Sequence, residues 1–196
     1  MGKTLFISDL HFNHEDIISF DRRPFKDKKH MFYAMVDKWN RKVTNDDIVY
    51  VLGDFSIDKK PETILLILKR LNGTKYLIAG NHDQCLDDER VKEAWSNHIA
   101  SIEEVVVDGK KVILSHYPLA SWKNMQGFGP DHKYAPVHLY GRVHMTKEFN
   151  WYKNYLENIR AEFGYEMKAF NVGAMLLYMN YVPRTLDEII SCNDIL

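Results

Sequence analysis

Cysteine is nearly absent from this chain: Cys85 and Cys192 are the two among 196 residues. They do not suggest a disulfide framework and suit a reducing, cytoplasmic compartment. An excess of one charge sign is lacking too. The 26 Lys and Arg against 27 Asp and Glu leave a formal net charge of −1, so nothing global demands a polyanionic partner. Long apolar runs are missing. The longest, Ile64 to Leu68 and Ala174 to Met179, are far too short to span a bilayer, which excludes a membrane partner of that kind. No signal peptide is expected, because charge and alternation begin at once in Lys3-Thr4-Leu5-Phe6-Ile7-Ser8-Asp9. Phe6 stands where a myristoylation signal needs Ser or Thr. What is present is 45% hydrophobic residues, enough for a real core in a single domain spanning 1–196.

Strand and helix patterns alternate in the first half. Thr4 to Ser8, Ile48 to Leu52 and Tyr76 to Ala79 read as buried strands. Between them, His30 to Val43 has helical spacing with Met31, Met35 and Trp39 on one face, and a second helix starts near Pro61 and ends by Asn72-Gly73. Asp87 to Asn97 reads as a helix with an acidic first turn. The rhythm then changes to a hairpin, Glu104 to Val107 and Lys111 to Ser115, joined by Asp108-Gly109 in a type I′ turn. His138 to Gly141, Ala169 to Val172 and Ala174 to Met179 are further expected strands, and Leu186 to Ser191 a last helix. Trp151 to Phe163 is expected to be helical, within a segment appended at 149–165 whose aromatic residues read as core packing, a dimer contact or a base-stacking surface. The stretch from Tyr117 to Val137 lacks periodicity and is long for a plain connection, which suggests a functional loop. Together these patterns predict an α/β fold: two mixed β-sheets packed as a sandwich, flanked by helices.

Five short motifs carry the chemistry: Asp9-Leu10-His11, Gly53-Asp54, Gly80-Asn81-His82-Asp83, His116 and Gly141-Arg142-Val143-His144. Each follows or opens a turn after an apolar run, which puts it at a strand end, where open α/β sheets bind ligands. Strand alternation would project Asp9 and His11 to one side. Asp54 has two oxygens that could bridge two cations, Asn81 offers an amide oxygen, and His116 and His144 offer imidazole nitrogen. Carboxylate plus imidazole without thiolate favours Mn, Fe, Zn, Co or Ni over Ca or Mg. The other histidines have plainer readings. His14 and His30 belong at helix starts and His98 near a helix end. His138 lies about 13 Å from position 142 in an extended strand, too far to act for it. His132, on the long loop, can in principle fold back. From Asp21 to Lys42, eight Lys or Arg face three Asp, which reads as a solvated helix face or as a positive rim that attracts phosphates.

In order and spacing the five motifs resemble the calcineurin-like metallophosphoesterase superfamily, whose pattern runs D-x-H, G-D, G-N-H-D/E, H, G-H-x-H. The match covers positions 9 to 144. Ser8 to His14, Arg23-Pro24-Phe25 and Asn171-Val172-Gly173 resemble its small uncapped bacterial and phage phosphoesterases. Phe55-Ser56-Ile57-Asp58-Lys59 lacks the Asp-Arg pair of the protein phosphatase branch. The resemblance implies two divalent transition metals, manganese first. Asp9, His11, Asp54 and His144 would hold one, and Asp54, Asn81 and His116 the other. It further implies in-line attack by metal-bound hydroxide on a small phosphodiester or monoester, with nucleotides as candidates. His82 would be the general acid, and Asp83 would orient it. Asn81, His82 and Arg142 would contact substrate.

Arg142 departs from the pattern, standing where the family has a metal-binding histidine. Arginine offers only donors and cannot ligate a cation. Three outcomes stay open: a weaker second metal, a guanidinium that replaces that metal and grips phosphate, or a crippled site. The last would make the chain a binding or scaffold protein of this fold. A nuclease for short single strands is a third reading, although no long basic groove is evident. A homo-oligomer remains open.

Overall fold

Leu5, Phe6 and Ile7 are fully buried because the strand that carries them, β1 (Thr4–Ile7), has a neighbour on each side. The structure, a computed structural model, describes residues 2–127 and 135–193. After β1 come α1 (Asp16–Phe20), α2 (Lys28–Lys42), β2 (Ile48–Val51), α3 (Pro61–Leu68), β3 (Thr74–Ile78), α4 (Glu89–Ala94) and β4 (Ile99–Ala100). The second half holds β5 (Ile102–Val107), β6 (Lys110–Ser115), β7 (Val137–Tyr140), α5 (Lys147–Phe163), β8 (Ala169–Asn171), β9 (Arg184–Thr185) and α6 (Leu186–Asn193). His132 and the middle of the expected long loop lie outside the described residues.

The first sheet has the order β4-β3-β2-β1-β9, parallel throughout except for the antiparallel edge β9. The second has the order β5-β6-β7-β8, with β5 antiparallel and the rest parallel. Side chains from both sheets, such as Leu5 and Val49 with Val112 and Leu139, share one apolar core. This is the two-mixed-sheet α/β sandwich that the sequence pattern predicts. The parallel strands are buried on both faces, so they read as continuous apolar runs and not as alternation.

Local chemistry explains the elements. Asp27 caps α2 by accepting from the His30 amide at 2.7 Å, and Met31, Met35 and Trp39 fall on its buried stripe. Trp39 Nε1 donates to the Asn72 carbonyl at 3.1 Å and ties α2 to the end of the α3 connection. Asp108 (φ 50°) and Gly109 (φ 76°) both take left-handed backbone, which gives the type I′ hairpin between β5 and β6.

One expected strand is absent. Ala174 to Met179 forms successive turns, with the Met179 and Asn180 amides both donating to Leu176 O. Ala174, Met175, Leu176 and Met179 are buried there, while Leu177 is 92% exposed. A short apolar run satisfies strand and turn periodicity alike, and here packing chose the turn. The short elements α1, β4 and β9 carry too few residues to show a period.

A seam joins the sheets. The Ser8 amide donates to Val172 O and the Ala174 amide donates to Ser8 O, both at 2.9 Å. The exit of β1 is thereby fixed against the exit of β8. Among the described residues no helix is long and apolar enough to cross a membrane. Trp39→Ala removes a fully buried indole and is expected to cost about 3–5 kcal/mol, read as a lower urea midpoint. A change within 1 kcal/mol would mean that α2 is not a core element.

Candidate metal centre

Asp9 and His11 lie beyond the end of β1, not within it. Both take left-handed backbone, with φ of 54° and 51°. The expectation that strand alternation aims them together is therefore corrected, since a tight loop does it. That loop is zippered to the one after β2. The Asp9 amide donates to Gly53 O at 3.0 Å, His11 to Asp54 O at 2.9 Å, and Phe12 to Phe55 O at 2.9 Å. Asp54 (φ 53°), Arg142 (φ 68°) and His144 (φ 45°) are left-handed as well. Non-glycine residues seldom adopt this region, and they cluster at functional sites where the surrounding fold enforces it.

Side-chain oxygens and nitrogens of Asp9, His11, Asp54 and His144 all lie within 4.8 Å of one another, and all four residues are buried. His11 Nε2 stands 3.6 Å from Asp54 Oδ2, and His144 Nε2 stands 3.6 Å from Asp9 Oδ1. The other oxygen of Asp54, Oδ1, faces His116 Nε2 at 3.4 Å. His116 Nε2 also lies 3.2 Å from Asn81 Oδ1. Asp54 thus presents one oxygen to each of two donor sets. Backbone must approach closely for this. A Cβ on Gly80 would sit 2.5 Å from Asp54 Oδ1, and one on Gly141 2.5 Å from Ser8 Oγ and 2.7 Å from Asp9 Oδ2. Both positions admit only glycine.

The donor set fits divalent cations. His11 Nε2 is buried without a hydrogen-bond partner and faces the cluster, and such an orphan carries a cost that a ligated metal removes. His116 donates Nδ1–H to Leu52 O at 2.8 Å, and its Nε2 faces two oxygen acceptors. That contact calls for positive charge. Burial holds the His11 imidazole neutral, the ligating form, pushing its pKa down to about 2 against the pull of Asp54. Burial raises Asp9, outweighing the attraction of His144 and His116. Asp54 is also subject to burial, but the His116 contact and the His82 amide hold it down to about 2.

A buried relay stands behind His144. Its Nδ1 lies 2.9 Å from Asp21 Oδ1, and Asp21 Oδ2 takes two bonds from Arg23, at 2.8 and 2.9 Å. Arg23 then donates to Leu10 O at 2.8 Å and Asp9 O at 2.9 Å. A carboxylate behind a ligating imidazole fixes its tautomer and orientation. Arg23 and Asp21 are thus removed from the solvated basic face that the sequence suggested, since Arg23 is 4% exposed. Composition could not reveal this. The Arg23-Pro24-Phe25 similarity was the available signal.

The remaining sites are placed as follows. His82 is exposed, with its ring centroid 5.4 Å from that of His11. The hydrogen bonds of Asp83 go to backbone amides. Its carboxylate accepts from the amides of Asp54 (3.0 Å), Phe55 (2.9 Å) and Gly80 (2.8 Å), and burial pushes it up to about 6 despite those donors. These contacts tie together the loops after β2 and β3. Arg142 anchors Asp9 through its backbone amide at 3.1 and 3.2 Å, and the residue lines a cavity of about 250 Å³ with His11, Asp54, His82 and His144. His14, expected at a helix start, precedes α1 but also lines this cavity, with Nδ1 3.3 Å from His11 Nδ1. His138 is a core histidine, held by Ile113 O and the Leu119 amide.

Residues 2–168 match the profile described as calcineurin-like phosphoesterase. An uncharacterized protein of Methanocaldococcus jannaschii is 37% identical over 123 residues, 62% of each chain. The gene 66 protein of Mycobacterium phage D29 is 30% identical over 132 residues, 60% of this chain and 65% of its own. The chain thus spans under two thirds of the length of either relative. A solved structure from Aquifex aeolicus, of a protein of unknown function, is similar over 98% of this chain and 100% of its own, at 25% identity and a TM-score of 0.66.

Asp21→Asn keeps the shape behind His144 but removes the charge shared with Arg23. It is expected to weaken binding of one divalent ion by roughly 10–100-fold, measured by competition with a metallochromic chelator. Unchanged affinity would mean that His144 is not a ligand.

Proposed function

The chain belongs to the calcineurin-like phosphoesterase family, and we propose that it is a metal-dependent hydrolase of small phosphodiesters. The observation that carries this reading is the convergence of Asp9, His11, Asp54 and His144 at a cavity that His82 and Arg142 also line. Asp9, His11, Asp54 and His144 would hold one divalent transition metal, manganese first. Asp54, Asn81 and His116 would hold a second, more weakly, because Arg142 supplies no ligand atom. Such ions supply Lewis acidity toward phosphoryl oxygens and an activated water.

The chain's own residues do the rest. Arg142 offers a planar pair of donors that suits two oxygens of one phosphate. Its charge would add positive potential at the cavity it lines with His11, Asp54, His82 and His144. Asn81 offers its amide beside His116. His82, exposed and beside His11, is placed to carry a proton to the departing oxygen. Asp83 keeps Gly80, Asp54 and Phe55 in register, so that Asn81 and His82 start from a fixed turn.

A scaffold reading draws on one observation, Arg142 in place of a ligand. Against it stands His82, an exposed imidazole at the cavity with little role in packing. Bis-p-nitrophenyl phosphate decides between them. Turnover that requires added Mn, Ni, Co, Zn or Mg and is lost on chelation is expected. No turnover with any of these ions would leave the scaffold reading.

Arg142→His is expected to tighten the second metal by roughly tenfold or more, the scale on which even outer-shell changes act. Metal titration by calorimetry checks it, and an unchanged stoichiometric profile would refute the role given to position 142. His82→Ala is expected to slow alkyl diesters by about 10²-fold or more, and p-nitrophenyl diesters far less, because that leaving group needs no proton. An equal loss on both would remove His82 as the acid.

A further inference from the structure

Arg142 is a wall between two cavities. On one side is the metal centre. On the other is a groove of about 410 Å³ lined by Tyr117, Pro118, Arg142, Val143, Glu148 and Trp151. Trp151 is 66% exposed and Tyr117 50% exposed. The inward face of α5 is carried by Tyr152, which packs with Tyr140 and Val143, so core packing does not account for Trp151.

The groove has a fixed backing. Trp151 stacks on Tyr155 with centroids 6.1 Å apart and planes 15° from parallel. Tyr155 donates its hydroxyl to Ala120 O at 2.6 Å, and Tyr152 donates to Leu119 O at 2.7 Å. These bonds hold α5 against the segment that follows β6. At the other end, the Tyr117 hydroxyl reaches Asn81 Oδ1 at 3.4 Å, which links the groove to the metal centre. Among its described lining residues the groove offers one arginine, Arg142, shared with the site, and one carboxylate, Glu148. That charge pattern suits a single phosphate at the junction followed by an uncharged group bearing N–H or O–H donors.

We propose that this groove is the subsite for a nucleoside substituent on the scissile phosphate. The base stacks on Trp151, Arg142 grips the phosphate at the junction, and Glu148 accepts from the base or sugar. The proposal deepens the phosphoesterase reading and rests on it for the direction of the phosphate. A flat aromatic π-face suits Trp151 better than an alkyl chain does, because stacking on an exposed indole needs no enclosing walls.

The test uses the full chain with manganese and two hydrolysis-resistant probes. One is the phosphonate in which a methylene replaces the 5′ oxygen of adenosine 5′-monophosphate. The other is ethylphosphonate, with the same phosphorus group and no base. Calorimetry is expected to give roughly tenfold tighter binding of the nucleoside probe. Trp151→Ala should bring that ratio close to one and Trp151→Phe should restore most of it, with ethylphosphonate unaffected by either. A wild-type ratio near one, a ratio untouched by Trp151→Ala, or no binding of either probe overturns the subsite. So does a Trp151→Ala protein that passes from dimer to monomer in sedimentation with its ratio intact, which would make the face a contact between copies. Failure of the hydrolase reading looks different: the nucleoside preference persists while no diester is turned over.

Discussion

Asp54 is the point on which the rest of the molecule closes. Its carbonyl accepts from His11, its amide is held by Asp83, and its two carboxylate oxygens face two separate donor sets. A buried carboxylate of this kind is costly unless paired and hydrogen-bonded. The loops after β1, β2, β3 and β6 each bring something to it: His11, its own left-handed turn, the His82 amide and His116. The two sheets are held in one relation by the Ser8 seam, and that seam sits one residue from Asp9. The fold and the site are therefore not separable here. Shifting either sheet would separate oxygens and nitrogens that only close approach keeps together.

Much of this was legible in the sequence because it depends on residue type at a chain punctuation point. Gly80 and Gly141 precede donors, and both glycines prove to be places where a Cβ would collide with a site oxygen or its neighbour. The buried strands showed as apolar runs, and the Asp108-Gly109 turn as a hairpin. What was not legible depended on backbone angles or on long-range pairing. No pattern in Asp9-Leu10-His11 separates a strand from a left-handed loop. Arg23 and Asp21 look like members of a charged surface, yet Arg23 reaches Leu10 and Asp9 carbonyls that topology alone brings near. Asp83 sits beside His82 in sequence and suggested a partner for it. In space it also faces three amides, contacts that the sequence did not show.

The two halves of the centre differ in how they are supported. On the Asp9–His144 side, the relay through Asp21 to Arg23 fixes an imidazole and supplies negative charge behind it. Burial, opposed and outweighed by His144 and Arg23, leaves the Asp21 carboxyl below its ordinary range, so that charge persists. On the Asn81–His116 side, the imidazole is backed only by the neutral Leu52 carbonyl. The donor count is lower, and one donor is a neutral amide. Electrostatics alone therefore ranks the two positions for a cation, independent of any relative.

This asymmetry gives Arg142 a reason to be tolerated. A histidine there would add a neutral ligand, whereas arginine adds a permanent positive charge and no ligand atom. In the proposed site the net positive potential that a phosphate would meet need not fall, because the guanidinium would offset part of what a less firmly held cation gives up. What changes is where the charge can be used. A metal acts on atoms it touches, while the forked donors of an arginine reach across a boundary. Arg142 lines both the metal cavity and the aromatic groove. Its backbone amide, fixed to both oxygens of Asp9, keeps the start of that long side chain in place. If the proposed second ion binds, arginine at 142 would trade affinity for it against a grip on the substrate at the junction of two cavities.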